Sequence, residues 1–495
     1  MHYKICFKTC YPAIQSVNMK KNLTKPFKKL TLCVSFLGFM CSSDAQETIS
    51  LSQAIDSTIK NNLQIRQAEL NEQLSYQNVR LAKATIYPTL NANASSYSLN
   101  GRALDPTTYQ FADRSVVSAQ GSLLADVTLF QGFQKLNLIK QNKFFLEADK
   151  NNTKKVKNDL TLTVLSTYLQ VLINRDLLNA SNQQLLLAKD QLSKQETFFK
   201  VKEKTLADLS QAKAQVANAE LNATNAQIEM DRSYLFLAQL MQRDTSVPFQ
   251  VIEPGEGEMT KLNTNYSESE VYNKSLETFP DVLQAINNRL GYEKGVAVAR
   301  GRLMPILSLS GNLNTSYSSL RRDATSEISG FQAAGIVEST NQRVLVPTFN
   351  SRSVSFNNQL DRNFSQAIGI TLNIPILNGL VSRINLTKAR LVYLNAITAE
   401  QLAKDNIKKV VAEAVWNMQA SEKKYKSATV TYTSALDAFK VMQQRYTVGL
   451  VNSLDVNIAQ TDRNVAEFGL IQAKYDLIFK SKLIDYYLGN PISFQ

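Results

Sequence analysis

Residues 133–200 of this 495-residue chain read FQKLNLIKQNKFFLEADKNNTKKVKNDLTLTVLSTYLQVLINRDLLNASNQQLLLAKDQLSKQETFFK. This stretch, and the residues that follow it as far as Val247, contain neither glycine nor proline. Because both residues interrupt helices, so long a run predicts helix, and its length favours two helices back to back. Apolar side chains recur every three or four positions, as at Leu162, Leu165 and Leu169, so one stripe of the first helix faces a packing partner.

The second half of the chain repeats this segment. Gly132 matches Gly379 and Asp208 matches Asp455 at a constant spacing of 247 positions, without a gap. Self-similarity at a fixed spacing indicates an internal duplication. The predicted divisions are a first repeat at 46–242, an inter-repeat linker at 243–267 and a second repeat at 268–495, each repeat reading helix, β-hairpin, long helix, helix.

The N-terminus has the pattern of a secretory signal peptide. Lysines precede the apolar run Leu30–Met40, and the small residues Ser43 and Ala45 then form an A-x-A-like site. We expect cleavage after Ala45, which makes residues 1–45 a signal peptide with an upstream leader. Translation from Met19 rather than Met1 is expected, since the residues before Met19 add nothing that a signal needs. Lipidation at Cys41 is the alternative, although Met40 fits a lipobox poorly.

Removal of this segment takes away all the cysteines and the only histidine of the chain, two residue types that often serve in catalysis and metal binding. All four cysteines and the only histidine lie within it, at Cys6, Cys10, Cys33, Cys41 and His2. We therefore expect no disulfide, no thiol nucleophile, and no Cys or His metal ligand in the mature chain. No glycine-rich phosphate loop or nucleophile elbow occurs either, so the sequence predicts neither an enzyme nor a cofactor.

Helical and alternating patterns follow one another in the same order in both halves. The helical spacing begins with a helix at 48–86, and the alternating patterns predict four strands, at 90–99, 117–130, 307–317 and 367–377. The second hairpin carries thirty more residues than the first, between Ser318 and Asn363, and their Ser, Arg and Asn content predicts a mobile surface loop. Glu253, Glu256 and Glu258 lie in the linker, where we expect them only to be solvated.

Strands of about ten residues are long enough to cross a bilayer when tilted. Four of them cannot close a barrel alone, and open sheet edges in lipid leave backbone groups unpaired at several kcal/mol each. If these strands enter a membrane, the chain must oligomerise. The alternative is a water-exposed four-stranded sheet in an exported protein, since the signal of each single strand is weak.

Several motifs together resemble the TolC-like outer-membrane efflux proteins. They are the duplication, Pro88 and Pro305 before the hairpins, LFQG at Leu129–Gly132, ILNG at Ile376–Gly379, and RYTVGLVNSLDVNIAQTDRNVAE at Arg445–Glu467. The resemblance implies a mainly α fold with a β-barrel portion: a long antiparallel helical coiled-coil barrel plus four transmembrane β-strands per chain, in two structural repeats, closed as a homotrimer. It also implies an exit duct for a tripartite efflux pump or a type I secretion system. Its location would be the outer membrane, in contact with lipid, with the helices in the periplasm.

The resemblance implies partners as well as a fold. A periplasmic adaptor protein would join the duct to an inner-membrane transporter of the RND or ABC class. A nucleic-acid partner is not expected, despite the formal net charge of +13, because the protein is exported and its cations are spread along polar helix faces. A second hypothesis remains open, in which the protein is a coiled-coil periplasmic spacer without a pore.

Two aspartates are candidate residues of the periplasmic aperture. Asp208 and Asp455 follow the helical turns of the two repeats at matching positions, so a trimer would bring six carboxylates near its axis. Rings of charge set ion selectivity in pores. The bland interpretation is that each aspartate stabilises a helix N-terminus, and both interpretations can hold together.

The resemblance also assigns roles to the turn before Asp455. Tyr446 is a candidate gate latch, with simple packing as the alternative, and Val448, Gly449 and Leu450 match the turn that receives the adaptor. The first repeat has residues 201–203, Val-Lys-Glu, in their place, so the absence of glycine puts docking at that turn in question. Val451 and Ile458 stand where the family often has charged residues, which predicts a more apolar gate with fewer ion pairs.

Overall fold

The computed structural model of the chain describes residues 47–104, 109, 111–113, 115–254, 265–490 and 492. The predicted signal peptide, with its cleavage site and cysteines, lies outside the described residues, as do Glu256 and Glu258 of the linker. In the first half the elements are β1 Glu47–Ile49, α1 Leu51–Asn61, α2 Leu63–Ala84, β2 Thr89–Leu99, β3 Arg102–Leu104, β4 Phe111–Asp113, β5 Val116–Gln131, α3 Gln134–Lys200, α4 Leu206–Leu240 and β6 Phe249–Val251. In the second half they are α5 Glu268–Thr278, α6 Pro280–Gly301, β7 Ile306–Ser318, β8 Arg322–Val337, β9 Gln342–Ser353, α7 Phe356–Arg362, β10 Ser365–Asn373, α8 Val381–Thr447 and α9 Ser453–Leu488.

The long helices agree with the sequence pattern. Helices α3 and α8 have 67 residues each, which corresponds to about 100 Å at 1.5 Å per residue. Each is followed by a short turn and by a second helix that packs against it, so the prediction of two helices back to back is confirmed.

The predicted single helix over 48–86 is wrong at two places. Thr48 belongs to strand β1, and the helix is interrupted at Asn62. The backbone of Asn62 is extended, at φ −69° and ψ 127°, and its side-chain oxygen accepts a hydrogen bond from the backbone N–H of Gln64 at 2.8 Å. Asn62 therefore ends α1 and caps the start of α2, a role in which asparagine is favoured.

Four strands form one antiparallel sheet in the order β10-β7-β5-β2. In one hairpin Leu90 lies opposite Ala125, and in the other Leu307 lies opposite Leu372. The fourth strand is shorter than the predicted 367–377, because it ends at Asn373. Pro375 follows, and proline has no N–H to donate to a neighbouring strand.

The thirty additional residues of the second half are ordered rather than a mobile loop, so this prediction is wrong. Strands β8 and β9 pair with each other as a two-stranded hairpin, and helix α7 follows. The side chain of Gln359 on α7 binds the backbone N–H and C=O of Ser318, at 2.9 and 3.0 Å, and so holds α7 against the end of β7. The composition suggested a loop, but cross-strand pairing stabilises this segment.

Two apolar clusters hold the helices together. One joins Ile55 of α1, Leu165 of α3 and Leu237 of α4 with the short parallel pair β1 and β6. The other joins the second-half helices α5, α6 and α8 to the C-terminal part of α9, where Ile484 is fully buried. Strand β6 lies within the predicted linker, so part of that linker belongs to the folded core.

No helix within the described ranges combines the length and the apolar character that crossing a membrane requires.

Candidate functional site

The candidate site lies where the two long helices end. The first turn joins α3 to α4 and the second joins α8 to α9. Gly449 in the second turn has a left-handed backbone, with φ +79°, and Lys202 occupies the matching position of the first turn with φ +59°. Glycine adopts this conformation freely, whereas a residue with a Cβ pays roughly 1–2 kcal/mol. Both turns therefore have a left-handed backbone at the same position, although only the second turn has glycine there.

Asp208 and Asp455 each complete a capping box at the start of a helix. The backbone N–H of Asp208 donates to the Thr205 hydroxyl at 3.2 Å, and its carboxylate accepts from the Thr205 N–H and O–H at 3.1 and 2.8 Å. At the other helix the cap is Asn452, whose Oδ1 accepts from the Asp455 N–H at 2.9 Å. Both aspartates thus satisfy backbone donors that a helix start leaves unpaired.

The two aspartates differ in their further contacts. Hydrogen bonds from the side chain and then the backbone of Thr205 hold the pKa of Asp208 below its usual 3.8. Ser453, at the start of α9, donates to the same carboxylate at 3.5 Å. Asp208 therefore touches the second hairpin as well as capping its own helix.

Neutral side chains join the two helical hairpins just above the turns. The Gln195 amide of α3 donates a hydrogen bond to the hydroxyl of Tyr446 at the end of α8. Gln460 of α9 accepts from Gln191 at 3.2 Å and from Gln215 at 3.5 Å. These contacts cross from one half of the chain to the other. They are made by neutral amides and a hydroxyl rather than by charged pairs.

A cleft of about 370 Å³ opens between these helices, and we call it the turn cleft. Asp208, Tyr446 and Gly449 line it, together with five glutamines: Gln191, Gln195, Gln211, Gln215 and Gln443. The Oε1 atom of Gln195 is buried there and accepts no hydrogen bond from the described residues. Asp455, Val448 and Leu450 are not part of the lining, and the two apolar side chains are about 70% exposed beside it.

A charged cluster that the sequence did not reveal lies on α3, α9 and the linker. Arg175 contacts Asp176 at 3.5 Å and Glu253 at 2.9 Å, and Lys474 reaches Glu253 at 3.5 Å. Tyr475 donates to Asp176 at 2.8 Å, and burial raises the pKa of its hydroxyl. The expectation that Glu253 is merely solvated is therefore wrong: it fixes the end of β6 against two helices.

Within the described part of the chain, no group of three or more His, Cys, Asp or Glu side chains is arranged to hold a metal ion. Of the titratable side chains that line the turn cleft, Asp208 caps the start of α4 and Tyr446 accepts a hydrogen bond from α3.

The family model of the outer membrane efflux proteins matches residues 54–242 and 271–490. The chain belongs to the outer membrane efflux protein family. Among its relatives is the outer membrane efflux protein BepC of Brucella suis, which is 22% identical over 94% of this chain and 90% of that protein. The cation efflux system protein CusC of Escherichia coli is 22% identical over 85% of this chain and 84% of that protein.

Solved structures agree in fold. The outer membrane protein VceC of Vibrio cholerae superposes with a TM-score of 0.71 at 16% identity, covering 90% of this chain and 97% of that one. This efflux protein thus has the mainly helical architecture with a strand region that is found in channels of its family.

Proposed function

We propose that this efflux protein forms a homotrimeric channel in the outer membrane and serves as the exit duct of a tripartite efflux pump or type I secretion system. A periplasmic adaptor would join it to an inner-membrane transporter. The observation that carries the proposal is the four-stranded sheet with two open edges, β10 and β2, at one end of the 100 Å helices.

The open edges favour closure with other copies. Within the described residues neither β2 nor β10 has a strand on its outer side, and unpaired backbone groups in lipid cost several kcal/mol each. Alternate side chains of β10 are apolar and exposed, with Ile368 at 86% and Ile370 at 70%, as expected of a lipid-facing strand. Three copies would close a barrel of twelve strands.

The helices support the same arrangement. In one chain α3 of the first half packs on α6 of the second, through contacts such as Phe145 with Tyr292. If the halves are repeats, the corresponding pair is α8 with α2 of a neighbouring copy. Both helices expose apolar stripes in the single chain: Leu63, Leu70, Leu74 and Leu81 on α2, and Leu391, Leu394 and Leu402 on α8.

Reconstitution into planar lipid bilayers tests the proposal. A channel gives discrete conductance steps, and outer-membrane extracts should contain heat-labile trimers on gels. The alternative, a periplasmic spacer without a pore, predicts no steps and a monomer that is extracted without detergent. That result would reject the channel.

The two turns and the residues beside them support finer roles. We propose that Asp208 and Asp455 form an acidic ring at the periplasmic aperture, since symmetry would repeat these carboxylates around the axis. Tyr446 with Gln195 would act as a neutral latch between the two helical hairpins. The exposed Val448 and Leu450, on either side of Gly449, would be the docking turn for the adaptor.

A further inference from the structure

The hairpin of β8 and β9 has one apolar side that no described residue of the same chain covers. Its register pairs Ile328 with Phe349, and Ala333 with Leu345. Residues in such pairs share a face, and along a strand every second residue does so. In β8 the register shifts between Ile328 and Gly330 and again between Ala333 and Gly335, so the alternation moves by one residue at each of these points. The hairpin apolar face comprises Ile328, Phe331, Ala333 and Ile336 of β8 with Leu345, Pro347 and Phe349 of β9. Phe331 is 64% exposed and Ile336 61%.

This exposure is unusual for a stable hairpin. A two-stranded hairpin alone is marginal in water, and contiguous apolar patches on protein surfaces commonly mark interaction sites. The opposite face, where Gly330, Gln332 and Thr348 alternate with valines, is less bulky. The hairpin apolar face is therefore the side that needs a partner.

A second apolar patch lies at the same end of the sheet. In the small hairpin of β3 and β4, Leu104 lies opposite Phe111, which is 72% exposed, and Tyr109 between the strands is 78% exposed. The bases of the two hairpins meet, because the Ser319 N–H donates to the Val117 carbonyl at 2.9 Å. Both patches thus extend from the sheet end that is far from the helices.

The strand order determines which hairpins become neighbours in a closed ring. The β8–β9 hairpin lies between β7 and β10, and the β3–β4 hairpin between β5 and β2. When β10 of one copy pairs with β2 of the next, the β8–β9 hairpin of the first copy lies two strand spacings, or roughly 10 Å, from the β3–β4 hairpin of the second. Large apolar side chains on hairpins this close, such as Phe331 and Phe111, can reach each other.

We propose that the hairpin apolar face packs against the β3–β4 hairpin of the neighbouring copy, so that these hairpins lock the trimer together beyond the barrel. The inference rests on the trimer of the proposed function. The β3–β4 hairpin of the same chain is also two strand spacings away from the β8–β9 hairpin, on its other side. It does not cover the hairpin apolar face, which remains exposed in the single chain. The neighbouring copy is therefore the occupant.

Cysteine cross-linking tests this contact, because the sequence has no cysteine after Cys41. A chain with Phe111→Cys and Phe331→Cys, treated with a short bis-maleimide in outer membranes, should become mostly covalent trimer. The matched control pairs Phe111→Cys with Val346→Cys on the opposite face and should cross-link several-fold less. A covalently closed monomer from the first pair would assign the contact to the same chain and overturn the inference.

A second pair reports the trimer independently. Ala125 of β5 lies opposite Gly311 of β7. Carried through the repeat spacing, this pair predicts Leu372 opposite Ala94 of the next copy, so Ala94→Cys with Leu372→Cys should link neighbouring barrel edges. If this pair cross-links and the hairpin pair does not, the hairpin contact is wrong while the channel stands. If neither links copies, the trimer itself fails.

Stability gives a third readout. Phe331→Ser and Leu345→Ser should each lower the temperature at which the trimer dissociates in detergent by several degrees, whereas Val346→Ser should leave it nearly unchanged. Equal effects from both faces would contradict the assignment of the hairpin apolar face.

Discussion

At the scale of single residues, the site near the turns is made of groups with two possible roles. Asp208 and Asp455 cap helices, yet a cap does not prevent a carboxylate from acting on passing ions. Gln195 and Tyr446 form a hydrogen bond between the two halves, and the amide oxygen of Gln195 is buried without a hydrogen-bond partner among the residues that the structure describes. Substitutions that keep the shape and remove one property separate these roles.

The acidic ring predicts a cation-preferring open pore. Asp208→Asn combined with Asp455→Asn should reduce this preference, while both caps persist, because an asparagine side chain still accepts hydrogen bonds. Lys204 lines the same cleft and acts on Asp208, but it is unchanged in the variant, and cations further along the helices are screened over the Debye length of about 8 Å at physiological salt. Reversal potentials in a KCl gradient measure the effect. Asp231→Asn, far along α4, is the control, and unchanged selectivity in the double variant would leave the aspartates as caps only.

The pH dependence of the Asp208 contribution follows from its lowered pKa. The carboxylate favoured in the folded state is fully charged above the unfolded pKa of about 3.8, and its effect is lost only as pH falls through the lower folded value. The difference in selectivity between wild type and Asp208→Asn should therefore be the same at pH 7 and pH 5. A difference that vanishes between these values would contradict the hydrogen-bonded state of Asp208.

Tyr446→Phe removes the hydroxyl that the Gln195 amide contacts. The amide then loses a buried partner, which costs about 1–3 kcal/mol in the closed arrangement and favours opening. We expect a higher open probability in single-channel recordings at unchanged trimer stability in detergent. Tyr432→Phe, further along α8, should behave as wild type; if Tyr446→Phe also does, the tyrosine contributes only packing.

At the scale of elements, the connection from β5 to α3 depends on a close approach of two turns. Gly132 has φ +55°, and a Cβ there would lie 2.5 Å from the Cβ of Met304 and 2.8 Å from the carbonyl of Gly301. Gly301 ends α6 just before β7, so the two turns can pack together only without side chains at these points. This close contact between the two turns fixes the direction in which α3 leaves the sheet.

Gly132→Ala should consequently destabilise the protein by about 2–4 kcal/mol, combining left-handed strain with overpacking. Urea or thermal unfolding measures the loss. Gly311→Ala is the control, since a Cβ at Gly311 in strand β7 meets nothing within 4 Å. Equal effects of both substitutions would show that the contact with Met304 relaxes at little cost.

At the scale of the whole molecule, the connection from β10 to α8 in the second half corresponds to the connection from β5 to α3, but it lacks the close contact made at Gly132. Gly379 has φ +62°, yet a Cβ there meets nothing within 4 Å in the single chain. The repeat spacing matches Gly379 to Gly132, and matches Met304 to Tyr87, which is 70% exposed. In a trimer Tyr87 of the neighbouring copy would fill the space beside Gly379.

Gly379→Ala should therefore weaken the trimer more than left-handed strain alone does. Gly449→Ala has a similar backbone angle and equally open surroundings in one chain, so it serves as the matched control. The temperature of trimer dissociation in detergent should fall clearly more for Gly379→Ala. If the two variants are equal, no neighbouring side chain lies at Gly379.

Most of the fold could be predicted from local sequence because its elements are long. The helix over 134–200 follows from a run without glycine or proline, and the four strands follow from alternation. Predictions failed where a short-range signal was weak or overlooked: Asn62 caps a helix in the middle of a helical pattern, and Pro375 shortens the last strand. The inserted hairpin was taken for a loop because residue composition does not record the pairing of β8 with β9.

The sequence by itself determined the order of the main elements, the length of the two long helices and the position of the turns after them, since periodicity and helix breakers act within a few residues. Tertiary structure alone decided which side chains meet. The hydrogen bond between Gln195 and Tyr446 joins residues 251 positions apart. Glu253 of the linker forms ion pairs with Arg175 of α3 and Lys474 of α9, which are distant from it in sequence. Such pairs depend on how the two halves pack, and no local pattern of residues records that packing.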